Sequence, residues 1–230
     1  NSYGPRNDDQ FGYIYVVFSN NWLNSLDIKD RFRGFLPVVI DLETGGFENE
    51  KHAVLEIAIV LLDWSENQII PGSTYHWNIE PQPNLIIEEA SLTITGIDLS
   101  DPNRNAIQED KAIRECFKII RRAVKNAKCK RAILTAHNAH FDHGFIMAAS
   151  DRNEVKRNPF HPFSVIDTAS LSALALGHTV LSEACQRAGV QFESEKAHSA
   201  THDAEVTADL FCRIVNSWRL ERGLSGGSVY

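Results

Sequence analysis

The sequence predicts a single α/β domain built around a mixed central sheet. Three apolar runs separated by short turn-like gaps come first, which indicates an antiparallel meander. Helical and strand patterns alternate in the rest of the chain, as they do where helices connect the strands of a sheet. With 230 residues, 43% of them hydrophobic, the chain is long enough to bury the core of one such domain.

The first three strands are predicted from near-continuous apolar runs. These runs read LPVVIDLE from Leu36, AVLEIAIVLLD from Ala53 and STYHWNIE from Ser73. A short helix, EEASLTI, follows them and ends at Gly96, because glycine readily takes the backbone conformation that closes a helix.

The basic stretch between Lys111 and Arg131 is predicted to form a helix of roughly five turns. Its apolar residues keep the spacing of one buried stripe, which comprises Ile113, Phe117, Ile120 and Val124. Its basic residues Lys118, Arg122 and Lys125 fall on the opposite face, toward solvent or a partner. A fourth strand (RAILTAHN), a helix (FDHGFIMAASDR), a fifth strand (FSVID), two small helices around Gly177 and a long last helix (AEVTADLFCRIVNSWRL) complete the chain.

The expected domain limits follow from where these patterns begin and end. We expect a loosely ordered leader over residues 1–30, the domain over residues 31–220 and a short tail over residues 221–230. No apolar run approaches the length of a membrane span. The four cysteines are scattered without a CxxC pair, which favours reduced thiols and a cytoplasmic location.

The charge is unevenly distributed. The net charge is −7, yet nine of the 23 basic residues lie between residues 111 and 131. Two smaller basic clusters, one with Arg31 and Arg33 and one with Lys156, could join this stretch in space. Such a concentration is compatible with phosphate binding, and the alternative is a solvated helix face.

Two carboxylates interrupt the first strand near its end. Asp41 and Glu43 are two residues apart, so their side chains leave the same face of the sheet. Carboxylates this close repel each other unless a cation lies between them, which favours a divalent metal. The alternative is that both are solvated at the strand end before the Gly45–Gly46 turn.

Two further acids are expected at the same edge of the sheet. Asp142 follows the fourth strand and Asp203 begins the last long helix, and each could simply cap its helix. Taken together, four acids at strand and helix ends favour a shared site. His198 is expected on the loop before the last helix, where a neutral imidazole could act as a general base.

These motifs resemble a known superfamily. VIDLETGG, AHNAHFDHGF and the His-x4-Asp of HSATHD are similar to the three motifs of the DnaQ-like DEDDh 3′-to-5′ exonucleases. The resemblance, specifically to the bacterial ribonuclease T family, runs from about Asp30 to Leu220. It implies a ribonuclease H-like fold with a mixed five-stranded sheet flanked by helices. It also implies two Mg²⁺ ions, replaceable by Mn²⁺, held by Asp41, Glu43, Asp142 and Asp203, with His198 as general base and nucleoside 5′-monophosphates as products.

The same resemblance implies how nucleic acid is bound. Phe47, Phe141 and Phe163 match aromatic residues that wedge against the last bases of a single-stranded 3′ end, while a fourth aromatic of the family falls near Ile94. A basic patch that serves the partner subunit of a homodimer matches Arg31, Arg33, Lys125, Arg131 and Lys156. The implied substrates are the single-stranded 3′ ends of structured RNAs such as tRNA and ribosomal RNA precursors, and also of single-stranded DNA.

Parts of the sequence are compatible with three alternatives. A zinc hydrolase could use His137, His140, Asp142 and His143, but its H-x-H-x-D-H motif has a different spacing and leaves Asp41 and Glu43 unexplained. A non-catalytic nucleic-acid-binding module would be expected to have lost a site residue, and all five are present. Another DEDDh exonuclease, such as an oligoribonuclease or a proofreading subunit, is the nearest alternative.

Overall fold

The computed structural model describes residues 27–224. Residues 1–26 of the predicted leader and residues 225–230 of the predicted tail therefore lie outside the described residues. Within the described part, Ile28 sits in a short 3-10 helix, Ile28–Asp30, and is only 3% exposed. Packing onto the domain thus begins before residue 31, and the last helix continues beyond residue 220.

The described residues form a six-stranded sheet. Its strands are β1 Phe35–Thr44, β2 Val54–Ser65, β3 Gln68–Glu80, β4 Ile107–Gln108, β5 Arg131–Ala136 and β6 Phe160–Asp167. They lie in the order β4-β3-β2-β1-β5-β6. The first three form the predicted antiparallel meander, whereas β5 pairs parallel with β1 and with β6.

The strand count is the one correction to the predicted fold. Five strands were expected, and the sixth is β4, which pairs with the end of β3 through only two residue pairs. A two-residue strand is too short to leave a periodic pattern in the sequence.

The described residues 27–224 also form six α-helices. They are α1 Glu89–Thr95, α2 Glu109–Asn126, α3 His140–Arg152, α4 Thr168–Leu176, α5 Leu181–Ala188 and α6 Ala200–Leu224. Each of the predicted helices is present, and α1 ends at Gly96 with the predicted left-handed backbone (φ 68°). None of these helices is long and apolar enough to cross a membrane.

The helix α2 follows its predicted amphipathic pattern. Ile113, Phe117 and Ile120 are fully buried and Val124 is partly buried against the same core. The basic residues predicted on the other face, Lys118, Arg122 and Lys125, are all exposed.

Alternation along β1 separates two cores and fixes where the acids point. Val38, Ile40 and Leu42 pack with α2 and α3, whereas Val39 packs with α6 on the opposite face. By the two-residue period of a strand, Asp41 and Glu43 lie on the α6 side with Val39. The helix α6 meets this face through Ala200, Ala204 and Ala208, whose small side chains let its backbone approach closely.

Two phenylalanines of equal size test the division between core and surface. Phe117 is fully buried, so Phe117→Ala is expected to lower the free energy of unfolding by about 3–5 kcal/mol through lost contacts and a cavity. Phe163 is 76% exposed, so Phe163→Ala is expected to change it by less than about 0.5 kcal/mol. Urea unfolding of both variants measures the difference, and equal losses would contradict the described packing.

Candidate active site

Three of the predicted acids meet at the C-terminal end of β1. Carboxylate oxygens of Asp41, Glu43 and Asp203 all lie within 4.8 Å of one another. Glu43 is only 8% exposed, and Asp41 and Asp203 are partly buried. The sequence separation of Asp203 from the other two is overcome because α6 lies flat against the face of β1 from which they project.

Asp142 lies near Asp41 but is not one of the three acids whose oxygens approach within 4.8 Å. It lies in the first turn of α3 and is 3% exposed. Of the neighbouring carboxylates, it raises the pKa of Asp41 the most. Its position depends on Asp167, whose carboxylate accepts hydrogen bonds from the backbone N–H groups of Asn138 (2.9 Å) and Ala139 (3.3 Å) and so fixes the turn that leads into α3.

The electrostatics of these four acids reflect burial and mutual repulsion. Burial, followed by the neighbouring carboxylates, raises the pKa of Asp41 well above its ordinary value. The same causes raise the pKa of Glu43 to about 8. Burial likewise raises the pKa of Asp142 to about 8, although backbone N–H groups of Asp142 and Leu42 oppose the rise, and it raises the pKa of Asp203.

His198 lies where the sequence predicts it, on the loop directly before α6. Its backbone N–H donates to Asp203 Oδ2 (3.1 Å), so the residue is tied to the acidic group, while its side chain is exposed. The backbone of His198 is left-handed (φ 65°), a conformation that is unfavourable for a residue with a side chain and that concentrates at functional sites.

A further acid near this site, Glu56, was not predicted from the sequence. Glu56 on β2 pairs with Glu43 across the strands and raises the pKa of both Asp41 and Glu43. Its own carboxylate accepts from His76 Nε2 at 3.3 Å. The antiparallel register alone would have revealed it, because directly paired residues point to the same face.

The predicted base-binding aromatics are in two places. Phe47 is 78% exposed on the loop after β1, and its ring contacts that of Phe141 with the centroids 6.4 Å apart in an edge-to-face arrangement. Phe141 directly precedes Asp142 and is partly buried. Phe163 lies on β6, where its exposed ring packs on His161 (4.5 Å). Ile94, at the position of the fourth aromatic, is 57% exposed on α1.

The predicted basic patch gathers at the opposite end of the sheet. Residues Phe35 and Arg131 pair at the starts of β1 and β5, whereas the carboxylates follow the ends of these strands. Desolvation lowers the pKa of His161, and the nearby charges of Arg131 and Arg33 lower it further. Beside them is a surface cavity of about 520 Å³. Its basic lining residues are Arg121, Lys130, Arg131 and Arg157.

Three further members of the predicted patch have separate positions. The guanidinium of Arg31 lies over the ring of Phe32 at 5.1 Å. Lys125 is exposed near the end of α2, and Lys156 is exposed on the loop between α3 and β6. The patch thus draws on the chain before β1, on α2 and on the loop after α3.

The histidines of the zinc alternative make other contacts. His137 Nε2 donates to the Thr179 carbonyl (2.7 Å), and burial lowers its pKa. His143 Nε2 donates to the His161 carbonyl (3.0 Å). Within residues 27–224, the group of side chains suited to a metal ion consists of carboxylates alone.

The donor set fits a hard divalent cation. All its ligand atoms are carboxylate oxygens, which suit Mg²⁺ or Mn²⁺ better than Zn²⁺. Asp203 Oδ1 is buried and has no hydrogen-bond partner among the described residues. A buried, unpaired oxygen next to two other carboxylates is costly unless a cation neutralises it.

The raised pKa values predict how stability depends on pH without metal. Folding favours the protonated form of Glu43, because its pKa rises from 4.5 to about 8. The stability from this group is therefore present below pH 4.5 and is lost as the pH rises toward 8. We expect the melting temperature of the metal-free protein to decrease as the pH rises from about 5 to about 8. Millimolar Mg²⁺ should restore the melting temperature, and the increase should be largest at about pH 8.

Two aspartates on α6 provide the matched comparison for that experiment. Asp203→Asn removes one charge of the acidic group, so it should reduce both the fall with pH and the gain from Mg²⁺. Asp209→Asn changes an exposed aspartate of the same helix and should leave both unchanged. Identical pH and Mg²⁺ responses of the two variants would contradict the site.

Comparisons with known proteins identify relatives of this chain. The sequence model of the exonuclease family matches residues 38–211. The chain is 52% identical over 198 residues to ribonuclease T of Vibrio cholerae serotype O1, covering 85% of this chain and 88% of that protein. It is 52% identical over 191 residues to ribonuclease T of Escherichia coli strain K12, covering 83% of this chain and 89% of that protein.

Solved exonucleases share the fold at low sequence identity. A full-length 3′-exonuclease superposes with a TM-score of 0.62 at 17% identity, covering 80% of this chain and 62% of that one. E. coli exonuclease I in complex with a dT13 oligonucleotide superposes with a TM-score of 0.61 at 17% identity, covering 83% of this chain and 43% of that one. On the family match and the identity over most of its length, the chain belongs to the ribonuclease T branch of the exonuclease family.

Proposed function

We propose that this protein is a 3′-to-5′ exoribonuclease that trims the single-stranded 3′ ends of structured RNAs, and of single-stranded DNA, with nucleoside 5′-monophosphates as products. The observation that carries the proposal is the convergence of Asp41, Glu43 and Asp203 within 4.8 Å beside buried Asp142. The implied cofactor is a pair of Mg²⁺ ions, with Mn²⁺ as a substitute.

Asp41, Glu43, Asp142 and Asp203 would hold these ions. When bound, divalent cations neutralise charge on a phosphate and favour deprotonation of a water molecule. The carboxylates are fixed in advance by β1, by the first turn of α3 and by α6, so little rearrangement is required when substrate binds.

His198 supplies the general base in this proposal. Its backbone N–H is held by Asp203 Oδ2, which keeps the exposed imidazole next to the acidic group. A neutral ring nitrogen can accept the proton of the attacking water as that oxygen forms a bond to phosphorus. The 3′-oxygen of the preceding nucleotide then leaves, and the terminal nucleotide departs with its phosphate on the 5′ side.

Aromatic side chains hold the end of the strand. The exposed ring of Phe47, set edge-to-face against Phe141, offers an apolar surface beside Asp142 on which a terminal base could stack. Phe163 offers a second exposed ring, on β6. Stacking is tolerant of base identity, which suits an enzyme that removes successive nucleotides.

The basic patch would bind the duplex stem for the partner subunit of a homodimer. Asp41 lies six positions after Phe35 along β1, which corresponds to about 20 Å of extended chain. This separation supports a role in which the patch holds a stem while the acidic group of the partner trims the overhang.

We infer a cytoplasmic enzyme from the free cysteines, since none of the four is in a disulfide.

The test of catalysis uses an RNA hairpin with a single-stranded 3′ overhang, labelled at its 5′ end. Purified protein with Mg²⁺ should shorten the overhang stepwise and stop near the duplex. Asp41→Ala should reduce the rate by several orders of magnitude, since it removes a metal ligand, whereas Asp209→Ala should be unaffected. RNA left intact by the unaltered protein would favour a non-catalytic binding module.

The test of the patch measures RNA affinity as a function of salt. Lys125→Ala combined with Arg131→Ala should weaken binding of the hairpin and reduce the slope of log K against log salt by about 1–2. Lys111→Ala, at the other end of α2, is the control. Unchanged affinity of the double variant at low salt would contradict the assignment of these residues to an RNA-binding patch, because phosphate contacts contribute most at low salt.

A further inference from the structure

The loop that carries Phe47 is fastened to the rest of the domain at several points. This segment, residues 45–52, is here termed the Phe47 loop and connects β1 to β2. Its first residue is tied on both sides, because Gly45 N–H donates to the Ala53 carbonyl (2.8 Å) and Glu88 N–H donates to the Gly45 carbonyl (2.7 Å). The tip bearing Phe47 nevertheless projects its ring into solvent.

A buried ion pair holds the loop from the side of α2 and α3. Arg152 donates from Nε and from one terminal nitrogen to the two oxygens of Glu109 (2.8 and 2.7 Å). Its other terminal nitrogen donates to the Asn49 carbonyl in the Phe47 loop (3.2 Å). Glu109 is 2% exposed and also accepts from Gln82 and Asn153, so its carboxylate accepts hydrogen bonds from three side chains.

The geometry of Arg152 is specific to a guanidinium. It must contact both carboxylate oxygens of Glu109 and the loop carbonyl at the same time, which requires three donors in a planar arrangement. A lysine could keep the charge next to Glu109 but not this set of contacts. Replacement of such an ion pair by apolar residues is often neutral for stability, so its contacts here are interpreted as fixing the conformation of the loop.

A histidine holds the loop from the side of α1. His52 Nε2 donates to Glu88 Oε1 (3.1 Å), while Nδ1 lies 3.0 Å from the Glu48 backbone nitrogen and 3.2 Å from the Glu48 carbonyl oxygen. Glu88 immediately precedes α1. The ring lies under Gly46 so closely that a Cβ there would fall 2.2 Å from His52 Cδ2.

We propose that Arg152 and His52 are positioning residues, which hold the Phe47 loop so that Phe47 faces Phe141 and receives the terminal base. The inference rests on the proposed function and adds to it residues that touch neither the metal ligands nor the substrate. A loop fixed in its binding conformation loses less conformational entropy when the base stacks on it. Loss of either attachment should therefore weaken substrate binding and leave the chemical step intact.

The test combines conservative substitutions with a double-mutant cycle. Arg152→Lys keeps the charge beside Glu109 and loses the contact with Asn49, while Glu88→Ala removes the half-exposed partner of His52 without leaving a buried charge. Arg213→Lys, at an exposed arginine of α6 that donates to the Ala188 carbonyl, is the matched control. Each change is also made together with Phe47→Ala, and thermal unfolding identifies any variant that fails to fold.

Two readouts are taken. One is kcat and KM for a single-stranded oligonucleotide, and the other is the quenching of a 3′-terminal 2-aminopurine on binding, which reports stacking without turnover. We expect Arg152→Lys and Glu88→Ala to raise KM about tenfold, as loss of one stacking contact would, with kcat changed by less than about twofold. Their 2-aminopurine quenching should fall, and in the Phe47→Ala background neither should have a further effect.

Three results would overturn the proposal. One is an unchanged KM in both variants, another is a loss of kcat as large as the rise in KM, and the third is an equal effect with and without Phe47. If the unaltered protein quenches 2-aminopurine but does not shorten the oligonucleotide, the proposed catalytic function fails. The quenching of the variants would still decide the role of Arg152 and Glu88.

Discussion

Repulsion among carboxylates at the C-terminal end of β1 is the constraint on which the rest of the site depends. Asp41, Glu43 and Asp203 share a space of a few ångströms, with Asp142 alongside and Glu56 behind them. Such a group is unfavourable in isolation, because burial and like charge both oppose ionisation. Bound divalent cations would neutralise this repulsion. The unfavourable electrostatic energy of the metal-free group therefore favours cation binding.

The architecture brings these acids together from distant parts of the chain. The strand β1 presents two of them on one face, and α6, which carries Asp203, packs on that face through alanines. The turn fixed by Asp167 leads into α3 and so positions Asp142. The features proposed to bind nucleic acid lie at both ends of the same strands. The Phe47 loop follows β1 directly, while the basic residues collect at the far ends of the same parallel strands.

Much of this arrangement is predictable from the sequence. Alternation places Asp41 and Glu43 on one face of β1, and helix starts after a strand indicate where Asp142 and Asp203 lie. Contacts set by register and packing are not predictable in this way. Glu56 enters through its pairing with Glu43, β4 is two residues long, and the contact of Arg152 with buried Glu109 joins residues that are 43 positions apart in the sequence.

The most direct measurement is a crystal structure of the protein grown with Mn²⁺, with anomalous diffraction used to locate the ions. Carboxylates that repel each other this strongly should bind Mn²⁺ between them. We expect anomalous density contacted by oxygens of Asp41, Glu43, Asp142 and Asp203, and its loss in Asp203→Asn. Absence of Mn²⁺ from this group, or binding through His137 and His143 instead, would contradict the account.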